Sequence, residues 1–261
     1  MALTHNVIIR GMNSIYLQCE NVKPENAAQF LLYCQCWSEF IQNHHACEEV
    51  AYFPVIEKAT GEEGLSEGNL EQHDAFLGGL HEFEQYIYNV KPSGYCGKKV
   101  LQILDSFAAT LQSHLTDEVV WIMALSRFRD LDLAAIDAHH GDYVRLRQSS
   151  SRTIPFLLTN HDVTYETGIH AGWPIKQAAL AEMEVDTTVR AALRDFWLRY
   201  ICTLVHKGAW KYSCCSLGGK PRFLEANKLL RSQSRTFEEA EGEMEMGSRD
   251  RLQRPERVFT R

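Results

Sequence analysis

The chain has 261 residues, a net charge of −7 from 27 basic and 34 acidic residues, and 45% hydrophobic and 23% charged residues. These values are ordinary for a globular protein with a substantial core, built as one large domain or as a domain with an extension. The acidic excess argues against nucleic acid or an anionic membrane as the main partner.

Four long helices are predicted in the first half of the chain. They cover about residues 4–18, 24–58, 69–90 and 98–128. Apolar residues recur at helical spacing in each of them. Pro24 suits the first position of the second helix, and Pro54 is expected to kink or distort it. Because the connections between the last three helices are short, the sequence predicts an all-α, up-down four-helix bundle.

The composition changes beyond about residue 130. Residues 131–148 predict one more helix, 149–174 contain several prolines and glycines and predict irregular structure, and a further helix is predicted over 187–207. From about residue 231 onward the chain is highly charged with few large apolar residues, which predicts a disordered tail. The predicted domains are a four-helix bundle over 1–130, a mainly helical and irregular C-terminal extension packed on it over 131–230, and the tail over 231–261.

Histidine and glutamate occur at matching positions of the four predicted helices. Each helix carries one such histidine, and on the second and fourth helices a glutamate follows four residues later, on the same helical face. These residues are His5, His44, Glu48, His73, His114 and Glu118. A bundle that turns them inward has four imidazoles and two carboxylates in an apolar core, which is tolerable only if they hold a cation. The pattern is typical of a non-haem di-iron centre.

The ligand types indicate which metal such a centre takes. Imidazole nitrogen with carboxylate oxygen fits iron, manganese or zinc, and we expect two iron ions, with manganese or zinc less favoured. Two glutamates on different helices can each bridge two cations and so offset the repulsion between them. Ferritin-like di-iron proteins instead use Glu-x-x-His pairs, and the sequence has none.

Four short segments form a specific pattern when they are taken together and in order. They are His5-Asn6-Val7-Ile8-Ile9-Arg10, His44-His45-Ala46-Cys47-Glu48-Glu49 with Phe53-Pro54, Glu71-Gln72-His73-Asp74, and His114-Leu115-Thr116-Asp117-Glu118. In this order they resemble the hemerythrin-like (HHE cation-binding) family. Later segments are similar to the extension of long fungal members; they are Thr159-Asn160-His161-Asp162, Gly168-Ile169-His170 and Trp173-Pro174.

The resemblance implies a role for each candidate ligand. One iron is held by His5 and His44, the other by His73 and His114, with Glu48 and Glu118 as bridges.

Members of the family usually have a second histidine on the third helix, one turn after the first, where this chain has Leu77. Two explanations stay open. Either one iron has an open coordination position that favours binding of a substrate, or His45 moves in as a replacement ligand. The second explanation is similar to hemerythrin-like iron sensors, which use two adjacent residues of the second helix.

These observations favour a di-iron protein that binds and activates dioxygen, an oxidoreductase or oxygenase acting on a small organic metabolite. Its chemistry is metal-centred, and no side chain is assigned as a catalytic group. The chain has no dinucleotide-binding or flavin motif, so electrons come from an external donor or from the substrate. The alternative is a non-catalytic hemerythrin-like protein that binds, stores or senses oxygen or iron. A helical protein with incidental histidines is the least favoured explanation.

The sequence also predicts where the protein resides. No apolar run approaches the roughly 18–20 residues that a membrane helix needs. The first five residues lack a basic stretch followed by an apolar one, so no secretion signal is predicted. Without such a signal the eight cysteines are expected to be reduced thiols. We therefore expect a cytoplasmic protein with no membrane partner.

Overall fold

The computed structural model describes residues 1–162, 164, 204, 206–216 and 222. All regular elements within these residues are helices, which confirms the all-α prediction. The α-helices of this described part are α1 (Ala2–Gln18), α2 (Ala27–Cys47), α3 (Phe53–Thr60), α4 (Glu67–Asn89), α5 (Gly97–Ala124), α6 (Leu133–Arg147) and α7 (Thr153–Asn160). Met1–Arg222 forms one compact unit. None of the helices described here is both long and apolar enough to cross a membrane.

The four long helices α1, α2, α4 and α5 form the bundle. Helix α4 packs against α5 and α2, and α1 packs against the same two helices, so the four close on a common interior. Trp37 lies in the core of this interior, where its ring centroid is 5.2 Å from that of Phe83 and its Nε1 donates a 3.0 Å hydrogen bond to the carbonyl of Ile8. The bundle places the inward faces of four helices around one axis.

The predicted second helix is divided at the proline. Helix α2 ends at Cys47, a π-helical turn covers Glu48–Tyr52, and α3 begins at Phe53. Pro54 explains the change because it has no N–H and because its ring would clash with the carbonyl of Val50 in a regular α-helix. Turns of this kind are frequent at functional sites. The first residue of the turn, Glu48, is one of the predicted ligands.

Part of the predicted extension lies within the described residues. Helix α6 confirms the helix predicted over 131–148. The prediction of irregular structure after residue 148 is wrong for Thr153–Asn160, which forms α7. Pro155 stands in the first turn of α7, where a missing N–H is tolerated, and burial of the apolar residues around it stabilises the helix. The predicted tail and all but the end of the helix predicted over 187–207 lie outside the described residues, and the predicted domain boundaries stay predictions.

Candidate metal centre

The structure brings the seven predicted ligands together in the interior of the bundle. They are His5 on α1, His44 and His45 on α2, Glu48 at the start of the π-helical turn, His73 on α4, and His114 and Glu118 on α5. All seven are at most 7% exposed. The cluster lies between two apolar regions: Phe76 of the larger core and Phe53 of a smaller one each lie 5.9 Å from the His73 ring.

The ligand atoms of these side chains form two groups. Within each group they lie within 4.8 Å of one another. The first group is His5, His44, Glu48 and Glu118, and the second is His45, Glu48, His73 and His114. Because Glu48 belongs to both, its carboxylate lies where it would bridge two ions. Glu118 belongs to the first group alone, so its bridging role stays a prediction.

His5 is held in one tautomer by the backbone. Its Nδ1 donates a 2.7 Å hydrogen bond to the carbonyl of Leu115, so in the neutral imidazole the lone pair is on Nε2. That Nε2 lies 3.0 Å from Oε2 of Glu118, and neither atom has a hydrogen-bond partner. In the neutral form of His5 the two atoms are both acceptors and repel each other, and a cation that both could bind would remove the repulsion. The pair therefore fits a metal site.

Glu48 also has buried polar atoms without hydrogen-bond partners, and here both carboxylate oxygens are affected. Its side chain is fully buried, and neither carboxylate oxygen has a hydrogen-bond partner. Oε1 lies 2.9 Å from Nε2 of His44, and Oε2 lies 3.8 Å from Nε2 of His73. Burial, followed by the charge of Glu118, raises the pKa of Glu48 well above its usual value. A buried carboxylate without a partner is costly, and divalent cations would compensate it.

The histidines of the second group are oriented by side chains around them. The Nε2 atoms of His73 and His114 lie 3.1 Å apart. Nδ1 of His73 lies 2.7 Å from Oε1 of Glu49, and Nδ1 of His114 donates a 3.1 Å hydrogen bond to Oε1 of Gln72. Gln72 in turn donates to Asp117 at 3.2 Å. Such outer contacts fix the orientation of metal-binding imidazoles and increase their basicity.

The titration behaviour of the histidines agrees with this arrangement. Burial lowers the pKa of His44 and His45 well below the usual value of 6.5, and lowers the pKa of His114 to about 3. Neighbouring imidazoles, chiefly His5 for the first and His73 for the other two, add to the effect. These side chains are therefore neutral at pH 7, the form in which imidazole binds a metal.

The position after His73 was left open by the sequence. Leu77 is 39% exposed and belongs to neither group, whereas Phe76 is buried and faces the cluster, with its ring centroid 5.0 Å from that of His45. The His45 ring lies 4.4 Å from the His73 ring. The geometry brings His45, and not Leu77, among the candidate ligands, and an open coordination position on one ion stays a prediction. Ligation by His45 itself stays a prediction.

Sequence reasoning gave no role to Gln72 or Phe76. They stand one residue before and three residues after His73 on α4, positions that any helix fills with some residue. Their contacts depend on how α4 packs against α2 and α5, and a single sequence carries no signal for that packing. The one available signal was that both residues lie close to His73 in the sequence.

The described residues form a helical bundle with a buried cluster of histidines and carboxylates that could hold metal ions, which defines the class of protein. The sequence profile of the hemerythrin HHE cation-binding domain matches residues 1–125. The chain is also 30% identical over 225 residues to the dimeric xanthone biosynthesis cluster protein R11 of Cryptosporiopsis sp. (strain 8999), a match that covers 86% of this chain and 80% of that protein. No solved structure matches the chain. The chain belongs to the hemerythrin HHE cation-binding family.

Proposed function

We propose that this chain is a non-haem di-iron protein that binds and activates dioxygen and oxidises a small organic metabolite. The observation that supports this most is Glu48, a fully buried carboxylate without a hydrogen-bond partner that belongs to two groups of four ligands. Imidazole and carboxylate ligands fit iron, whereas zinc has no redox chemistry. Membership of the chain in a cation-binding family supports the same interpretation.

Ferrous ions bound in the two groups would supply electrons to dioxygen. The chain's own contribution is to keep His44, His45 and His114 neutral and to orient the candidate ligands. Leu115 holds the tautomer of His5 through its carbonyl, and Glu49 and Gln72 orient His73 and His114. Holding the ligands in place before any ion binds reduces the reorganisation that binding requires.

The electron balance of the proposed reaction sets what else is needed. Reduction of dioxygen to two water molecules takes four electrons and four protons. The organic substrate gives up two electrons with two protons, an external donor supplies the other two electrons, and the remaining two protons come from the solvent. The sequence has no motif for a nicotinamide or flavin cofactor, so we propose a separate electron donor.

The relative from Cryptosporiopsis suggests a setting for this chemistry. Its name assigns it to a biosynthesis cluster for a dimeric xanthone. Because the two chains align over most of their lengths, we propose that the present chain also acts in the biosynthesis of a small organic metabolite.

Metal analysis and dioxygen uptake test the proposal. We expect about two iron ions per chain after anaerobic loading with ferrous iron, and fewer in Glu48→Ala. Glu71→Ala is the matched control, since Glu71 is an exposed glutamate on α4 that belongs to neither ligand group. With a reductant present, added organic compounds that are substrates should increase dioxygen uptake beyond one molecule per di-iron pair.

Two results would contradict the proposal. A wild-type protein that holds no iron would exclude a di-iron centre. Reversible dioxygen binding with two iron ions, and no net uptake with any organic compound, would instead support the non-catalytic alternative of oxygen or iron binding, storage or sensing.

A further inference from the structure

A cavity of about 370 Å³ lies beside the first ligand group. Its walls come from the start of α1, from α2, and from α6 and α7, which follow the bundle in the sequence. His44, a member of the first group, forms part of the wall. A volume of this size falls within the range of pockets that hold one small organic molecule.

One part of the lining is apolar. Phe40 of α2 and Ile154 and Leu157 of α7 are all less than 10% exposed and line the cavity together with Val144 of α6. Such walls favour the ring system or hydrocarbon part of a ligand over a strongly hydrated one.

The polar part of the lining contains two groups that lack partners. Nε2 of His140 and Oε1 of Gln148 are buried and make no hydrogen bond, and both residues line the cavity. Two charged side chains of the lining have partners: Arg145 pairs with Asp142, and Asp137 accepts a 3.1 Å hydrogen bond from the hydroxyl of Tyr52. The two side-chain groups of the lining that lack partners are therefore neutral. An amide oxygen requires a donor from the ligand, and a hydroxyl group supplies one.

We propose that this cavity binds the organic substrate, a compact ring compound that carries hydroxyl groups. The hydroxyl groups bind His140 and Gln148, the rings pack on Phe40 and on the apolar residues of α7, and one edge of the molecule lies at His44. This inference rests on the proposed function, because it places a substrate beside the first ion position. It also gives α6 and α7 a role, since the HHE domain match ends at residue 125, before either helix begins.

Gly141 offers a direct way to fill the cavity. It lines the cavity on α6, and a Cβ built on it meets no atom within 4 Å. Gly78 on α4 is the matched control, since it is also a helical glycine whose added Cβ meets nothing, and it does not line the cavity. The series Gly141→Ala, Gly141→Leu and Gly141→Phe fills the space in steps, and Gly78→Phe repeats the largest change elsewhere.

The experiment uses 1,8-dihydroxyanthraquinone as a coloured probe and anthraquinone as its counterpart without hydroxyl groups. Binding is measured by absorbance titration of the iron-loaded protein under anaerobic conditions, where no turnover occurs. We expect affinity for the hydroxylated probe to fall along the Gly141 series, by about tenfold or more at phenylalanine, and to stay unchanged in Gly78→Phe. His140→Leu should reduce the preference for the hydroxylated probe by about tenfold.

The outcomes separate this inference from the proposed function. Two iron ions per chain together with unchanged probe affinity along the Gly141 series would overturn the cavity as the binding site. An absence of iron from the wild-type protein would overturn the proposed function, and probe binding to that iron-free protein, lost in Gly141→Phe, would still support a ligand site in the cavity.

Discussion

Individual residues of the cluster lie in environments that destabilise the folded chain. A carboxylate that is buried beside another carboxylate, and an imidazole lone pair that faces an oxygen, are both unfavourable in a protein interior. Glu48 and Glu118 are in the first situation, and His5 is in the second. Residues that reduce stability in this way are typical of functional sites, where a bound ion compensates for them.

Glu48 provides a test of this cost at the level of one residue. In iron-free protein, we expect Glu48→Gln to raise the free energy of unfolding at pH 7 by about 1–3 kcal/mol, because folding no longer buries a carboxylate without a partner. Urea unfolding in the presence of a chelator measures the difference. The same variant should bind less iron, so stability and metal binding change in opposite directions.

The sign of the pH dependence follows from the raised pKa of Glu48. Its ionised form opposes folding above the unfolded value near 4.5, so the advantage of Glu48→Gln should grow as pH rises above about 4.5. The lowered pKa values of His44 and His45 act oppositely, since they reduce stability as pH falls below 6.5, and they are present in both proteins. An advantage that does not change with pH would contradict this explanation.

Glu49 tests the outer contacts of the second group. Its Oε1 lies 2.7 Å from Nδ1 of His73, so Glu49→Ala removes the group that orients that ring. We expect the affinity for one of two iron ions to fall by about 10–100-fold, with the other ion unaffected. Competition with a coloured chelator measures both affinities, with Glu71→Ala as the control. If the affinities for both ions fall equally, or if neither falls, Glu49 has no role in positioning His73.

The predicted and observed helices differ where the chain departs from a regular pattern. The spacing of apolar residues predicted the four long helices of the bundle, because most buried residues of each helix recur at helical spacing. Pro54 was predicted to distort the second helix, but the kind of distortion, a π-helical turn at Glu48–Tyr52, depends on how the helix packs. Helix α7 was missed because Pro155 suggested a loop, although a proline in a first turn is tolerated.

The ligand set was more predictable than the contacts around it. Spacing of four residues placed His44 with Glu48 and His114 with Glu118 on common faces, and this is a local property of a helix. The choice between Leu77 and His45 was beyond the sequence, because it depends on the rotation of α4 relative to α2. Gln72 could not be identified for the same reason.

The packing of α1 against α7 gives a prediction at the level of elements. A Cβ added at Gly11 would lie 2.5 Å from Cζ of Phe156 and 2.6 Å from Cδ1 of Trp37, both buried rings. We expect Gly11→Ala to reduce the free energy of unfolding by about 1–3 kcal/mol through overpacking. Gly78→Ala, in an open helical position, should instead raise it by roughly 0.5–1 kcal/mol. Thermal and urea unfolding measure both; equal effects of the two substitutions would show that α7 does not pack closely on α1.

Helix α7, which follows the bundle in the sequence, packs against it. Phe156 of α7 is fully buried, with its ring centroid 5.6 Å from that of Tyr33 and 5.5 Å from that of Phe40. Arg152, just before α7, donates two hydrogen bonds of 2.7 and 2.6 Å to the carboxylate of Glu39 on α2. These contacts fix α7 to the helix that carries His44 and His45, so the cavity and the candidate metal centre share one wall.

Iron binding should therefore affect the stability of the whole compact unit. The two ligand groups join α1, α2, α4 and α5, and an ion that binds the folded chain alone stabilises it by about 2.7 kcal/mol at a concentration 100-fold above its Kd. For two such sites we expect anaerobic ferrous iron to raise Tm by about 10–20 °C over chelator-treated protein, measured by calorimetry. Glu48→Ala should lose most of this increase, whereas Glu71→Ala should keep it. A Tm that is the same with and without iron would mean that the histidines and glutamates do not hold ions in the folded chain.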